Sequence, residues 1–156
     1  MKTVLPRVTT GKNSRIKATT YKDYTFESAT KEIEPTMWSK DLRKLPKMNF
    51  LQLYEYLVVK TSKYRHIVLK ATNYKKLKSY QFFFEGHIRR IEIAENTGEN
   101  TYVKANVIAS MRKKCYQVLV EFSKEHDIQR ATCTCPAGLG GEGRGKCNHI
   151  GGLILR

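Results

Sequence analysis

Cys133, Cys135, Cys147 and His149 are the residues of this chain whose types and spacing could do chemistry, and they bracket the glycine-rich run CTCPAGLGGEGRGKCNHI at 133–150. The run can be parsed three ways. Gly138, Gly140 and Gly143 match the G-x-G-x-x-G dinucleotide fingerprint, and Gly140 to Lys146 match the first seven positions of a P-loop, with Cys147 where Ser or Thr belongs. A dinucleotide site needs a helix after the glycines and an acidic residue about 20 positions on, and the 156-residue sequence ends at Arg156. The P-loop meets the same obstacle, and a soft thiol is a poor ligand for hard Mg²⁺.

The metal parse meets neither obstacle. Successive side chains on a strand alternate faces, so Cys133 and Cys135 point the same way. Pro136 stops the strand. The residues from 136 to 146 include glycines at 138, 140, 141, 143 and 145, which let the backbone turn and return Cys147 and His149 to the same ion. Three thiolates and one imidazole form a closed set suited to one structural Zn²⁺, with no open position for catalytic water. The ion and three thiolates carry about −1, and Arg144 and Lys146 would offset that charge without being ligands. Two alternatives stay open: an iron–sulfur cluster, and buried thiols beside a surface histidine. Cys115 reads as core, and His66, His87, His126 and Asp127 as structural or solvated. A Cys147–His149 nucleophile pair lacks a third orienting group, so no catalytic residue is assigned.

The elements that must position this set lie upstream. Residues 1–34 are rich in Thr, Ser and Lys, lack periodicity, and read as a flexible basic arm. In PKMNFLQLYEYLVVK, Asn49 and Gln52 form a capping box, Met48 and Leu53 a staple, and Phe50, Leu53, Tyr54, Leu57 and Val58 one face, predicting a helix over about 50–60. A second helix is expected in TNYKKLKSYQFFFEG, on Tyr74, Leu77, Gln81 and Phe84, with Gly86 as its stop. HIRRIEIAE, TYVKANVIAS and CYQVLVEF then read as strands, the last with Tyr116, Val118, Val120 and Phe122 on one face. NTGEN connects the first two, and SKEHD turns the chain into a fourth strand, Ile128 to Cys133. The expected fold is α+β: N-terminal helices on a small antiparallel meander, ending in a zinc-bound hairpin and a short C-terminal helix. Its divisions are the arm (1–34), a helical and antiparallel-strand domain (35–127), and a metal-bound end (128–156).

Composition bounds the partners. A net charge of +15 favours polyanions, and residues 35–85 hold 11 lysines and arginines against three acidic residues, a net +8. Lys70, Lys75, Lys76 and Lys78, with Tyr74 and Tyr80 beside them, combine phosphate-seeking charge with stackable rings; a Lys-rich solvent face with core tyrosines fits the same residues. No apolar run approaches the roughly 20 residues of a membrane span, and no secretory signal pattern is present, so an intracellular, nuclear location is expected.

The pattern C-x-C, loop, C-x-H before an apolar helix resembles the SWIM-type zinc finger, carried by CTCPAGLGGEGRGKCNHIGGLIL. The resemblance implies that Cys133, Cys135, Cys147 and His149 are its four zinc ligands. MWSKDLRKLPKMNF, LKSYQFFFEGHI and VKANVIASMRKKCYQVLV extend the likeness over roughly 37–155, to the region upstream of the finger in animal proteins in which a YqaJ-like viral recombinase nuclease domain commonly follows. It implies a nucleic-acid-binding module, DNA in preference, without catalysis of its own, or a zinc-stabilised protein–protein adaptor. Few residues follow His149, so the chain is expected to be a fragment, a truncated relative or a stand-alone accessory domain, and a nuclease domain or another protein is an expected partner.

Overall fold

The computed structural model describes residues 24–34, 37–59, 78–95, 100–109, 111, 113–139 and 147–156. Four strands, β2 (Ile88–Glu95), β3 (Thr101–Ile108), β4 (Cys115–Phe122) and β5 (Ile128–Cys133), form the antiparallel meander, and β1 (Trp38–Ser39) adds a fifth at the β2 edge. Alternation along β4 places Val118, Val120 and Phe122 in the main core with Tyr116 against it, opposite Val103, Ala105 and Val107 of β3. The structure is α+β, as expected.

β2 does not alternate cleanly, and a bulge explains why. Arg89 pairs with Asn106 and Glu92 with Lys104, so β2 carries one residue more than β3 between these rungs. Arg90 takes a positive φ of 50° there. The extra residue shifts the parity of the strand, so Ile88, Ile91 and Ile93 all face the core although they are spaced three and then two apart.

Helices α3 (Lys78–Phe84) and α5 (Asn148–Ile154) cover the main core. Two glycines let them approach closely. A Cβ on Gly151 would collide with Ser79 Oγ and stand 2.7 Å from Ser79 Cβ, and one on Gly152 would stand 2.9 Å from Phe82 Cβ. The face expected for α3 is displaced: Ser79 and Phe82 are buried, whereas Gln81 and Phe84 are exposed. Gly86 ends the helix at a φ of 69°, the left-handed conformation glycine adopts without strain. Tyr74 and Leu77 lie outside the described residues.

The Asn49–Gln52 capping box is present at α2 (Phe50–Tyr54), which continues as a π-helical turn, Glu55–Val59. Gln52 also tethers the helix to the β4–β5 turn, donating from Nε2 to Asp127 Oδ1 at 2.8 Å and to the Glu125 carbonyl at 3.1 Å. Phe50, expected on the packed face, is exposed.

The expected flexible arm does not extend to residue 34. Thr25 and Ser28 cap α1 (Phe26–Lys31), and Tyr24, Ala29 and Leu119 form a second small core on the opposite sheet face, with Phe26, Trp38 and Tyr102 against it. The organising group is Glu121, buried in β4. Its carboxylate accepts from Arg130 Nε at 2.7 Å, Asn100 Nδ2 at 2.8 Å, Tyr24 Oη at 3.3 Å and Tyr102 Oη at 3.4 Å. Arg130 also lies over the Tyr24 ring, 4.2 Å from its centroid. Burial first, then the Glu121 charge, raises the Tyr24 pKa far above the ordinary phenol value. A buried carboxylate is tolerated because it is this fully hydrogen-bonded.

Candidate metal centre

β5 ends at Cys133 and runs into a bend at Thr134 and Cys135. Thr134 prolongs the pairing: its N–H donates to the Gln117 carbonyl, and its Oγ accepts from the Gln117 N–H, both at 3.0 Å. The Cys-x-Cys segment is thereby fixed to the neighbouring strand. A single turn, α4 (Pro136–Leu139), folds back over it, and Gly138 N–H points at Cys135 Sγ at 3.1 Å. Cys135 N–H points at Cys133 Sγ at 3.5 Å.

The second pair arrives with α5. Cys147 occupies its N-cap without making a side-chain cap, leaving the thiol for other partners, and His149 lies in the first turn. The His149 ring sits between Phe82 and Tyr116, with centroids 5.0 and 4.9 Å away. These contacts hold the ring with Nδ1 3.8 Å from Cys133 Sγ.

The donor atoms of Cys133, Cys135, Cys147 and His149 all lie within 4.8 Å of one another, and the three cysteines are buried. In a tetrahedron with bonds of about 2.3 Å to sulfur and 2.0–2.1 Å to nitrogen, donor atoms stand roughly 3.5–3.8 Å apart. The set fits one metal ion with closure of about 1 Å, and backbone N–H groups already face two of the sulfurs, as thiolate ligands require. Contacts with the Cys133 and Cys147 thiols hold the Cys135 pKa far below an ordinary thiol, whereas contacts with Cys135 and Cys147, reinforced by burial, drive Cys133 up. Three thiolates crowded into one buried site repel one another. A divalent cation would allow all three to be ionised together, with protons released on binding.

All four expected ligands are brought together. Arg144 and Lys146 lie outside the described residues, as do Lys70, Lys75 and Lys76; Lys78, at the start of α3, is exposed. Tyr80 is also exposed and stacks on Phe84 with centroids 6.0 Å apart. His66 is outside the described residues, while His87 bridges Glu85 and the Ile108 carbonyl and His126 contacts the Lys47 carbonyl. Cys115 is a correction: it is exposed, because its β4 position faces away from the main core.

Gly138 was not foreseen as part of the site beyond its backbone freedom. A Cβ there would stand 2.7 Å from Cys133 Cβ, 2.8 Å from Cys133 O and 3.2 Å from Cys135 Sγ. Its signal in the sequence is a glycine three residues after a ligand, where the chain must pass over the sulfurs. Phe82 and Tyr116, which frame His149, carry no such signal and meet it only through the tertiary fold. Comparison with protein-family models, curated proteins and solved structures finds no match to this chain.

Proposed function

We propose that this chain is a SWIM-type accessory module in which one structural Zn²⁺ joins the end of β5 to α5, and which binds nucleic acid, DNA in preference, through its basic residues without catalysis of its own. The observation that carries the reading is the buried Cys₃His set with its donor atoms within 4.8 Å. Three thiolates and an imidazole prefer a soft or borderline ion, and four protein ligands close the coordination of zinc. Zinc would supply a fixed crosslink between strand and helix. Phe82 and Tyr116 orient His149, and Gly138 leaves room for the sulfurs.

The nucleic-acid half of the reading draws on the net charge of +15 and on Lys70, Lys75, Lys76 and Lys78 in the most basic stretch. Phosphate contacts of this kind give affinity with little base preference. A nuclear location suits such a role. The alternative, a zinc-stabilised adaptor for another protein, draws on exposed apolar side chains such as Leu51, Phe84 and Met111.

The test has two parts. Metal analysis of the purified chain should find one zinc, and Cys135→Ser should lose it and melt at lower temperature; unchanged zinc content would sink the ligand assignment. Fluorescence anisotropy with a generic DNA duplex across about 50–200 mM salt should give a linear log–log fall in affinity. Absence of binding at the lowest salt would favour the adaptor.

A further inference from the structure

Among the described residues, the outer face of the sheet is covered over one half only. At the end nearest Glu121, Tyr24, Phe26, Ala29 and Trp38 close over Leu119 and Tyr102. At the other end, nearest Cys133 and Cys135, the outward positions are Arg89, Asn106 and Gln117 on one rung and Ile108 and Cys115 on the next. Arg89, Gln117, Cys115 and Ile108 are exposed and Asn106 partly so. The bulge adds exposed Arg90 at one margin, and the β3–β4 connection adds exposed Lys113 and Lys114 at another, the latter fixed by the 2.8 Å bond from Ala109 N–H to its carbonyl.

Charge on this half is one-sided. Across 88–92, 104–108, 115–119 and 131–135 the sole carboxylate is Glu92, and it is bonded to Lys104 at 2.9 Å. Among the described residues, no ion pair engages Arg89, Arg90, Lys113 or Lys114. Neighbouring strands stand about 4.8 Å apart. Arg89 and Gln117, two strands apart on one rung, are therefore separated by roughly 10 Å, and the β3–β4 connection that carries Lys113 and Lys114 begins just past the Ile108–Cys115 rung.

We infer that this open half-face, with Arg89, Arg90, Lys113 and Lys114 around Asn106 and Gln117, is where the phosphodiester backbone of a nucleic acid lies. The inference rests on the nucleic-acid reading above and deepens it, placing the contact on the sheet beside the metal centre as well as on the lysine-rich stretch. Guanidinium groups match phosphate oxygens in pairs, and the amides of Asn106 and Gln117 can donate to the same oxygens. The outward rungs of this half carry no aromatic ring, so bases have nothing to stack on. Binding there is led by charge and indifferent to sequence.

The zinc-loaded chain is titrated by anisotropy with a labelled DNA duplex and, separately, an RNA strand of equal length. Arg89→Ala combined with Lys114→Ala should weaken binding by roughly an order of magnitude near 0.1 M salt and flatten the log–log salt slope by about 2. Gln117→Lys should tighten binding and Gln117→Glu weaken it. Losses on both probes identify the shared backbone; a loss on one identifies the polymer. Alkylation of Cys115 in the unaltered chain should also slow when nucleic acid is bound, a readout that needs no variant. If the parent binds but the variants match it in Kd and slope and Cys115 stays reactive, this placement is wrong and the nucleic-acid reading stands. If the parent binds neither probe, both fall.

Discussion

Replacing Gly138 by alanine should weaken the metal centre even though alanine is the better helix former. The new Cβ would stand 2.7 Å from Cys133 Cβ, 2.8 Å from Cys133 O and 3.2 Å from Cys135 Sγ. Ordinary carbon contacts lie at about 3.5–4.0 Å, so the shortfall is roughly 0.8 Å. The first two obstacles belong to the backbone or are fixed to it, and neither can swing away as a rotamer. Metal–ligand distances tolerate only about 0.2 Å, so the displacement must appear as lost coordination geometry or as movement of β5. Overpacking of this kind costs about 1–3 kcal/mol, and the helix preference of alanine returns at most about 1. A net loss of about 1–2 kcal/mol is near a tenfold fall in metal affinity, at 1.4 kcal/mol per factor of ten. Competition with a chromophoric chelator at neutral pH reads the affinity, and melting with and without metal reads the fold. A Gly138→Ala chain that holds metal as tightly as the parent and melts no lower would refute the reasoning.

The Glu121 cluster yields two further expectations. Glu121→Ala leaves Arg130, Asn100 and two phenols without their shared acceptor, and should lower stability in urea unfolding by about 3 kcal/mol, with a change under about 0.5 contradicting the role assigned to it. Tyr24 has its pKa raised in the folded chain, whereas the unfolded phenol ionises near 10. Its contribution is therefore complete below about pH 10 and declines as pH rises beyond that. Phenolate absorbance should show Tyr24 ionising only as the chain unfolds, and Tyr24→Phe should shrink the late component, leaving the part due to Tyr102, which burial and Glu121 also raise; early titration of all nine tyrosines would contradict the burial of Tyr24.

What could be read in the sequence was what local periodicity and ligand chemistry encode. β2, β3 and β4 announce themselves because they are rich in β-branched and aromatic residues, β4 also by its alternation, and Asn49 and Gln52 form the expected capping box because both halves of it lie three residues apart. The Cys/His set was legible because metal ligation demands particular residue types at close spacing. Features made by distant partners were not. α1 looks like a polar arm until Glu121, far along the chain, gives Tyr24 a partner, and β1 is two residues that pair only because the β2 edge is there. Cys115 reads as core because it sits in a strand alternation, yet it is exposed on the outer face. Nothing in the local sequence explains Gly151 and Gly152 of α5; the close approach of α3 does.

The strand order β1-β2-β3-β4-β5 follows the chain, so from β2 onward every pairing joins consecutive segments. Such a sheet can zip together by short loop closures, which are fast. The contact between Tyr24 and Glu121 is different, because it closes a loop across 97 positions. The carboxylate at the heart of the second core therefore joins contacts of two ranges: Arg130 reaches it from the neighbouring strand, and Tyr24 from 97 positions away. Loop-closure entropy rises with the length of chain enclosed, so the Tyr24 contact is the costlier of the two to close, and the outer-face core depends on it as well as on Trp38.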